Sequence, residues 1–392
     1  MTEVEKRIMA EAHLMLIPQK IRPFDEPECL PENSKFIMSS GGIARTLGGR
    51  LWIMWAGGGD SEKAFLLFSY SDDNGESFKS PQFLLHGPMT PGGLHTCIIE
   101  GNLFCAPDGK LHVFYCQRLG CMDGRMGAWH AVCENPDAEN PEFSTPERIA
   151  DGSLLDKPII LADGRWLLEI SIWKKEYILL AEGAENCQNK CSIWKGKLSA
   201  PYGANFYISA DQGKTWEYQG TAEADYPECD EPRIIQRRDG SLVMLLRNEK
   251  GLAWMTSDDL GKTWSKCVPA EFPHPTSRTC LDWLPDGRLM LIRNVPCEET
   301  IKTWKPDRDW TTGRENLTVF LSEDEGKTWS DGVLIDGRCD VSYPDCTITQ
   351  DGTIHLLYDW KRKEGELMYA RFSVADIDAG GPICPKVIFS AK

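Results

Sequence analysis

Glu231, Arg247, Arg278, Arg293, Tyr343 and Asp359 carry the residue types of a hydrolytic site, and Glu100 and Asp156 face them from the first half of the chain. Most of them stand about nine residues before, or six to seven after, a recurring turn glycine. A guanidinium in a water-poor pocket offers a planar fork of donors that matches a carboxylate. A carboxylate beside a phenol can take its proton and make the oxygen a nucleophile. Such a set can bind an anionic small molecule and attack it. The competing reading is that these charges pair with one another and hold neighbouring elements together.

The elements that must position them are repeats. A turn followed by an apolar run occurs six times: LGGRLWIMW ending at Trp55, PDGKLHVFY at Tyr115, ADGRWLLEI at Ile170, RDGSLVMLL at Leu246, PDGRLMLIR at Arg293 and QDGTIHLLY at Tyr358. The turn glycines are Gly49, Gly109, Gly164, Gly240, Gly287 and Gly352, about 61 residues apart on average. Asp-Gly between apolar runs is a hairpin signal, read here as a type I′ turn with positive φ at both central residues. A second pattern, Ser-x-Asp-x-Gly-x-Thr-Trp, starts at Ser209, Ser257 and Ser322, with a looser copy from Ser71 to Phe78. Its Asp can accept backbone N–H bonds, its Gly suits a left-handed position, and its aromatic ring is expected under the hairpin. These boxes read as structural.

Six hairpins at this period predict an all-β, six-bladed β-propeller. One domain, 1–392, is expected, with repeats over about 36–375 and a polar insertion near 173–204. LMYARFSVADI, from Leu367 to Ile377, reads as a late strand near ring closure. In a propeller the innermost strand of each blade runs along the channel to the turn, and the next runs back. Ser40, Glu100, Leu155, Glu231, Arg278 and Tyr343, nine before the glycines, then share one mouth with Ala56, Cys116, Ser171, Arg247, Arg293 and Asp359.

Composition narrows the partners. Lys and Arg number 43 against 59 Asp and Glu, for a formal charge of −16. That argues against a phosphate-backbone ligand, which needs clustered basic groups. Hydrophobic residues at 41% and charged residues at 26% suit a globular domain. No apolar run approaches the ~20 residues that span a bilayer, so no membrane partner is expected. The N-terminus mixes acids and bases without the apolar core of a secretory signal. Fifteen scattered cysteines read as reduced thiols in a cytoplasmic setting. Cys187 and Cys191 have a metal-compatible spacing but no second pair, and read as loop thiols.

With these motifs in hand, the sequence resembles the sialidase (neuraminidase) superfamily, in its BNR/Asp-box branch. DEPRIIQRRDGSLVMLLRN resembles the family stretch with the catalytic Glu and the second Arg of a carboxylate-binding triad, which implies those roles for Glu231 and Arg247. GRENLTVFLSEDEGKTW implies the third triad role for Arg314, and DVSYPDCTITQDGTIHLLYDW implies the nucleophile at Tyr343. Two departures stand out. The first triad Arg falls near Ser39 in FIMSSGGIARTLGGRLW, and Arg45 lies about six residues later. The acid/base Asp has its only nearby match at Asp60 in AGGGDSEK.

The resemblance implies an exo-glycosidase that removes a terminal acidic sugar from an oligosaccharide or glycoconjugate. It would retain anomeric configuration and need no metal or organic cofactor. Two alternatives stay open. One is a glycosidase or lyase for uronate- or rhamnose-containing glycans, with His95 or another group in the acid/base role. The other is a non-catalytic, glycan-binding propeller. Of the 14 tryptophans, Trp55, Trp173, Trp283, Trp304 and Trp360 are candidates for the mouth.

Overall fold

A computed structural model describes residues 3–24, 36–59, 61, 63–119, 126–172, 198–223, 230–248, 251–303 and 312–391. Six antiparallel sheets follow one another along the chain, each built from contiguous sequence. Blades one to six span 22–85, 96–151, 159–222, 230–269, 280–339 and 341–390. Five have four strands, and the first gains a fifth at its outer edge, Arg22–Pro23. The first strand of each repeat lines the channel: Ile43–Arg45, Thr96–Cys105, Ile159–Ile160, Asp230–Gln236, Cys280–Trp283 and Val341–Ile348. The all-β, six-bladed propeller is the expected one.

Why the strands read as unbroken apolar runs follows from the ring. Successive side chains on a strand point to opposite faces, and both faces of every blade meet a neighbour. Along LWIMWAG, Leu51, Ile53 and Trp55 pack into the seam with blade six, while Trp52, Met54 and Ala56 pack into the seam with blade two. The six principal hydrophobic clusters correspond one to one with the six blade interfaces. The ring closes by this packing rather than by a strand shared between ends: Trp55 stacks on Phe389 with centroids 4.8 Å apart.

The turns keep their place but change type. All six turn glycines have positive φ, from 82° at Gly352 to 97° at Gly49, while the residue before each does not. In each, the glycine N–H bonds back three residues, as Gly109 N does to Ala106 O at 2.9 Å. This is a type I turn followed by a left-handed glycine, the three-residue hairpin with a G1 bulge, and not the type I′ turn.

The Asp boxes are self-contained, as expected. Asp211 accepts from Thr215 N at 2.8 Å and Thr215 Oγ1 at 2.7 Å, and Ser209 Oγ receives Gly213 N at 2.8 Å. Asp73, Asp259 and Asp324 repeat the pattern. Two consecutive residues are left-handed in each box, such as Gln212 (φ 60°) and Gly213 (φ 82°). Three of the aromatic rings reach into a neighbouring blade instead of lying under their own hairpin. Trp264 stacks on Phe206 at 4.5 Å, Trp216 meets Phe114 edge-on, and Phe78 meets Tyr369 of blade six. The boxes therefore help fasten blades together.

The late segment divides. Glu366–Ser373 is a strand, and Ser373 then caps the short helix Val374–Asp378. A helix at Glu3–Glu11, which the sequence pattern did not announce, is tied down by Glu11, whose carboxylate accepts from Gly92 N at 2.6 Å. Most of the expected insertion (173–197), with Cys187, Cys191 and Trp173, lies outside the described residues, as does Trp304.

Phe206 is fully buried where blade three meets the blade-four box. Phe206→Ala should lower unfolding free energy by about 3–5 kcal/mol. Val268→Ala, on an exposed edge strand, should change it by less than about 0.5 kcal/mol. Equal midpoints for the two variants in denaturant titration would remove the seam from the account.

Candidate active site

Two inner strands break register at the same height. In blade four the pairing skips from Asp230 to Arg233, and in blade six from Ser342 to Asp345. The residues that loop out are Glu231-Pro232 and Tyr343-Pro344, and proline has no N–H to give to a ladder. Glu231 has φ 48° and Tyr343 φ 58°, left-handed values that are rare and costly for residues with a side chain. The two bulges turn both side chains inward, where the phenol O–H donates to Glu231 Oε1.

Three guanidinium groups surround this pair. Arg247, on the returning strand of blade four, bonds Glu231 Oε2 at 2.6 Å and the phenol oxygen at 3.0 Å. Arg314, just before the strand Glu315–Ser322, lies 5.3 Å from the Tyr343 ring centroid. Thr276 positions both: its Oγ1 accepts from Arg247 Nε at 3.3 Å and its carbonyl from Arg314 Nη2 at 3.1 Å. The third is Arg362, 3.9 Å from the same ring centroid. Arg362 was not among the expected residues; it sits in a turn beyond the strand Thr353–Trp360, off the repeat ruler.

The electrostatics keep the phenol protonated and the carboxylate charged. Burial works to raise the Glu231 pKa, but the Arg247 charge and the hydrogen bonds from Tyr343 and Arg247 win and hold it below the ordinary value. Tyr343 is pushed up to about 12, by burial first and then by the Glu231 charge, against the opposing pull of Arg247, Arg362 and Arg314. The guanidiniums do pull the phenol pKa down, but burial and the facing carboxylate outweigh them. Arg314 is lowered to about 10, by burial and then by the nearby Arg362 charge.

A second tier lies two residues nearer the turns, where strand alternation brings side chains to the same face. Arg233 bonds Asp345 at 2.7 Å and also pairs with Asp156. Lys157 Nζ reaches the Cys346 carbonyl at 2.6 Å and Asp345 at 3.4 Å. Blade one supplies Gly42 here, at φ 78°, where a Cβ would stand 2.1 Å from Asn102 Oδ1. This cluster divides the candidate site from a cavity of about 770 Å³ at the turn-ward ends of the inner strands. Moving the nine-residue ruler to seven would have found Asn102, Lys157, Arg233 and Asp345.

Several expected members sit elsewhere. Arg278 points toward the second tier, donating to Leu155 O at 2.6 Å and standing 3.6 Å from Asp345, though its charge still helps hold Glu231 ionised. Asp156 belongs to that tier. Arg293 lies in the seam between blades four and five, 4.3 Å over Phe272 and 4.5 Å over Phe320. It stands six residues after its glycine, whereas Arg247 and Asp359 stand seven after, and one residue flips the face. Glu100 is buried against Ser153 Oγ. Asp359 is buried behind Arg362, accepting from its Nε at 3.1 Å, from Ser342 Oγ at 2.6 Å and from Ser39 N at 3.0 Å. His95 lies in a bridge with Met89 in the loop before blade two. Arg45 is at the turn end of its strand, pairing with Leu51. Trp55 is core, and the indole N–H of Trp283 donates to Gln236 O at the far mouth. Trp360 lies under Arg338, 3.7 Å from its ring centroid. Asp60 lies outside the described residues.

Comparison with known proteins agrees with this architecture. Residues 49–356 match the profile of the BNR repeat-like domain. A sialidase of Bacteroides fragilis is 27% identical over 164 residues, 40% of this chain and 28% of that protein. An anhydrosialidase of Macrobdella decora is 27% identical over 207 residues, 46% of this chain and 25% of that protein. The matches span about a quarter of the length of these curated relatives. The solved structure of a Hadza microbial sialidase, Hz136, superposes with a TM-score of 0.65 at 18% identity, over 88% of this chain and 67% of that one. That likeness is one of fold.

The Tyr343 titration tests the electrostatics without any substrate. With 13C-labelled tyrosine and Tyr343→Phe for assignment, the wild-type resonance should still be that of the phenol at its ordinary pKa of 10. In Glu231→Gln the carboxylate charge is gone while the guanidiniums remain, so the titration should move to lower pH. An unmoved or upward-shifted curve would contradict the assigned cause.

Proposed function

The chain belongs to the BNR repeat-like domain family, and from that membership we propose a sialidase-like exo-glycoside hydrolase that removes a terminal acidic sugar with retention of configuration. The observation that carries this reading is the buried hydrogen bond from the Tyr343 phenol to the Glu231 carboxylate, ringed by guanidinium groups.

The chemistry follows from the charges. A substrate whose anomeric carbon bears a carboxylate repels an anionic nucleophile, and a neutral phenol avoids that repulsion. Arg247 and Arg314 hold the substrate carboxylate, each charge-assisted bond contributing roughly 1.5–3 kcal/mol. The Tyr343 oxygen forms a bond to the anomeric carbon as its proton passes to Glu231. The glycosidic bond breaks, and the leaving oxygen takes a proton from Asp60, the acid that the family resemblance suggests. Water then attacks the same carbon from the vacated side, returning its proton to the acid/base group, and the phenol recovers its own proton from Glu231. The product keeps the starting configuration.

Turnover of an aryl α-sialoside, with an aryl uronide and an aryl rhamnoside as comparators, tests this. Glu231→Gln should lower kcat by about 10²–10⁴-fold, and Tyr343→Phe by at least as much. Glu231 acts only as the carboxylate, and its pKa lies below the ordinary 4.5. The acid limb of kcat/KM should therefore fall below that pH in the wild type and move upward in Arg247→Met, where the depressing charge is lost. Wild-type rates in both the Glu231 and Tyr343 variants would end the phenol-nucleophile mechanism. Cleavage of the uronide or rhamnoside alone would move the substrate class.

A further inference from the structure

We propose that Arg362, from the turn that follows the second strand of blade six, is a specificity-determining residue that contributes a third guanidinium to the substrate carboxylate. It would do so in place of a first-blade arginine, whose position by the resemblance falls near Ser39. The inference rests on the reading that this site takes a carboxylate-bearing sugar.

Four observations carry it. First, the guanidinium carbon lies 3.9 Å from the Tyr343 ring centroid, closer than that of Arg314 at 5.3 Å. Second, its aim is fixed. Nε bonds Asp359 at 3.1 Å and Nη2 bonds Ser342 Oγ at 3.1 Å, so the fork is held by the blade that carries the phenol. Third, the same assembly takes hold of blade one at the point where its arginine is missing. Asp359 Oδ2 accepts from Ser39 N at 3.0 Å, and the Arg362 carbonyl accepts from Ile37 N at 3.1 Å. The small Ser39 side chain is wholly buried, and its N–H shares Asp359 with the Arg362 guanidinium. Fourth, Arg362 and Arg314 are close enough that the charge of one makes the other easier to deprotonate. Among the described residues, the Arg314 guanidinium has only the Thr276 carbonyl for a hydrogen-bond partner. Two cations brought together over one aromatic ring, one of them without a carboxylate, are stabilised when an anion enters between them. Asp359 is then a positioning residue, and it orients Arg362 from behind.

The probe is 2,3-didehydro-2-deoxy-N-acetylneuraminic acid, with its methyl ester as the uncharged control, and binding is read by calorimetry on the full chain. Wild type should prefer the acid. Arg362→Met should weaken the acid by about 10–100-fold and leave the ester unchanged. Arg362→Lys should recover part of the loss, since it restores the charge but not the fork. Arg362→Gln serves if the Met variant does not fold. If the wild type distinguishes acid from ester and Arg362→Met does so equally well, the role of Arg362 is overturned while the carboxylate-sugar reading stands. If the wild type binds neither, or binds both alike, that reading fails and this inference with it. Equal loss of acid and ester in every variant would make Arg362 structural and overturn the proposal.

Discussion

The bulge in the inner strand is the constraint on which the candidate site depends. A regular ladder at Glu231 and Tyr343 would send alternate side chains into the blade seams, and neither the carboxylate nor the phenol would turn toward the other. Skipping two residues in blades four and six, with a proline at the second, frees both to adopt left-handed φ. Strain of about 1–3 kcal/mol at each is offset by the surrounding seams, which are filled on both faces of every blade. Blade two also skips, between Ile98 and Gly101, but one residue farther from its turn glycine than the bulges of blades four and six.

Charge is arranged in two tiers with different work. In the lower tier Arg233, Lys157, Asp156 and Asp345 satisfy one another across three blades, and Asp345 is held far below its ordinary pKa against the pull of burial. Removing one member would strand a buried charge, which costs far more than the pair itself contributes. In the upper tier the pairing is less complete. Glu231 has Arg247 and Asp359 has Arg362, while the Arg314 guanidinium has no carboxylate partner among the described residues and bonds the Thr276 carbonyl. The lower tier ties inner strands together across the ring, while the upper tier gathers three guanidiniums around one carboxylate and one phenol.

How much of this was legible depended on periodicity. The turn glycines repeat with one geometry, so their spacing carried the six blades, and nine residues back carried Glu231 and Tyr343 to a common height. The same ruler failed where a single residue matters. Arg293 is six after its glycine and Arg247 seven after, so they leave opposite faces of their own blades although their sequence contexts look alike. Arg362 escaped because it lies in a turn with no fixed offset, and only the fold brings that turn against Ile37. The turn type was misread for a related reason. Asp-Gly favours either a type I′ turn or a type I turn with a left-handed glycine, and the loop length decides between them.

The raised pKa of Tyr343 bears on when its proton moves. Three guanidiniums would be expected to release a phenolate, yet burial and the facing carboxylate outweigh them and leave the phenol neutral near pH 7. A proton cannot then pass to Glu231 ahead of reaction, because the oxygen is too basic to give it up. It becomes acidic only as its lone pair is drawn into a bond to carbon. On the proposed mechanism, proton transfer and bond formation must therefore proceed together. On that mechanism the guanidiniums would hold an anion at the reacting carbon rather than ionise the phenol. Added negative charge from a bound carboxylate reinforces this order, since it raises the phenol pKa further while the arginines neutralise the repulsion that the carboxylate would otherwise meet from Glu231.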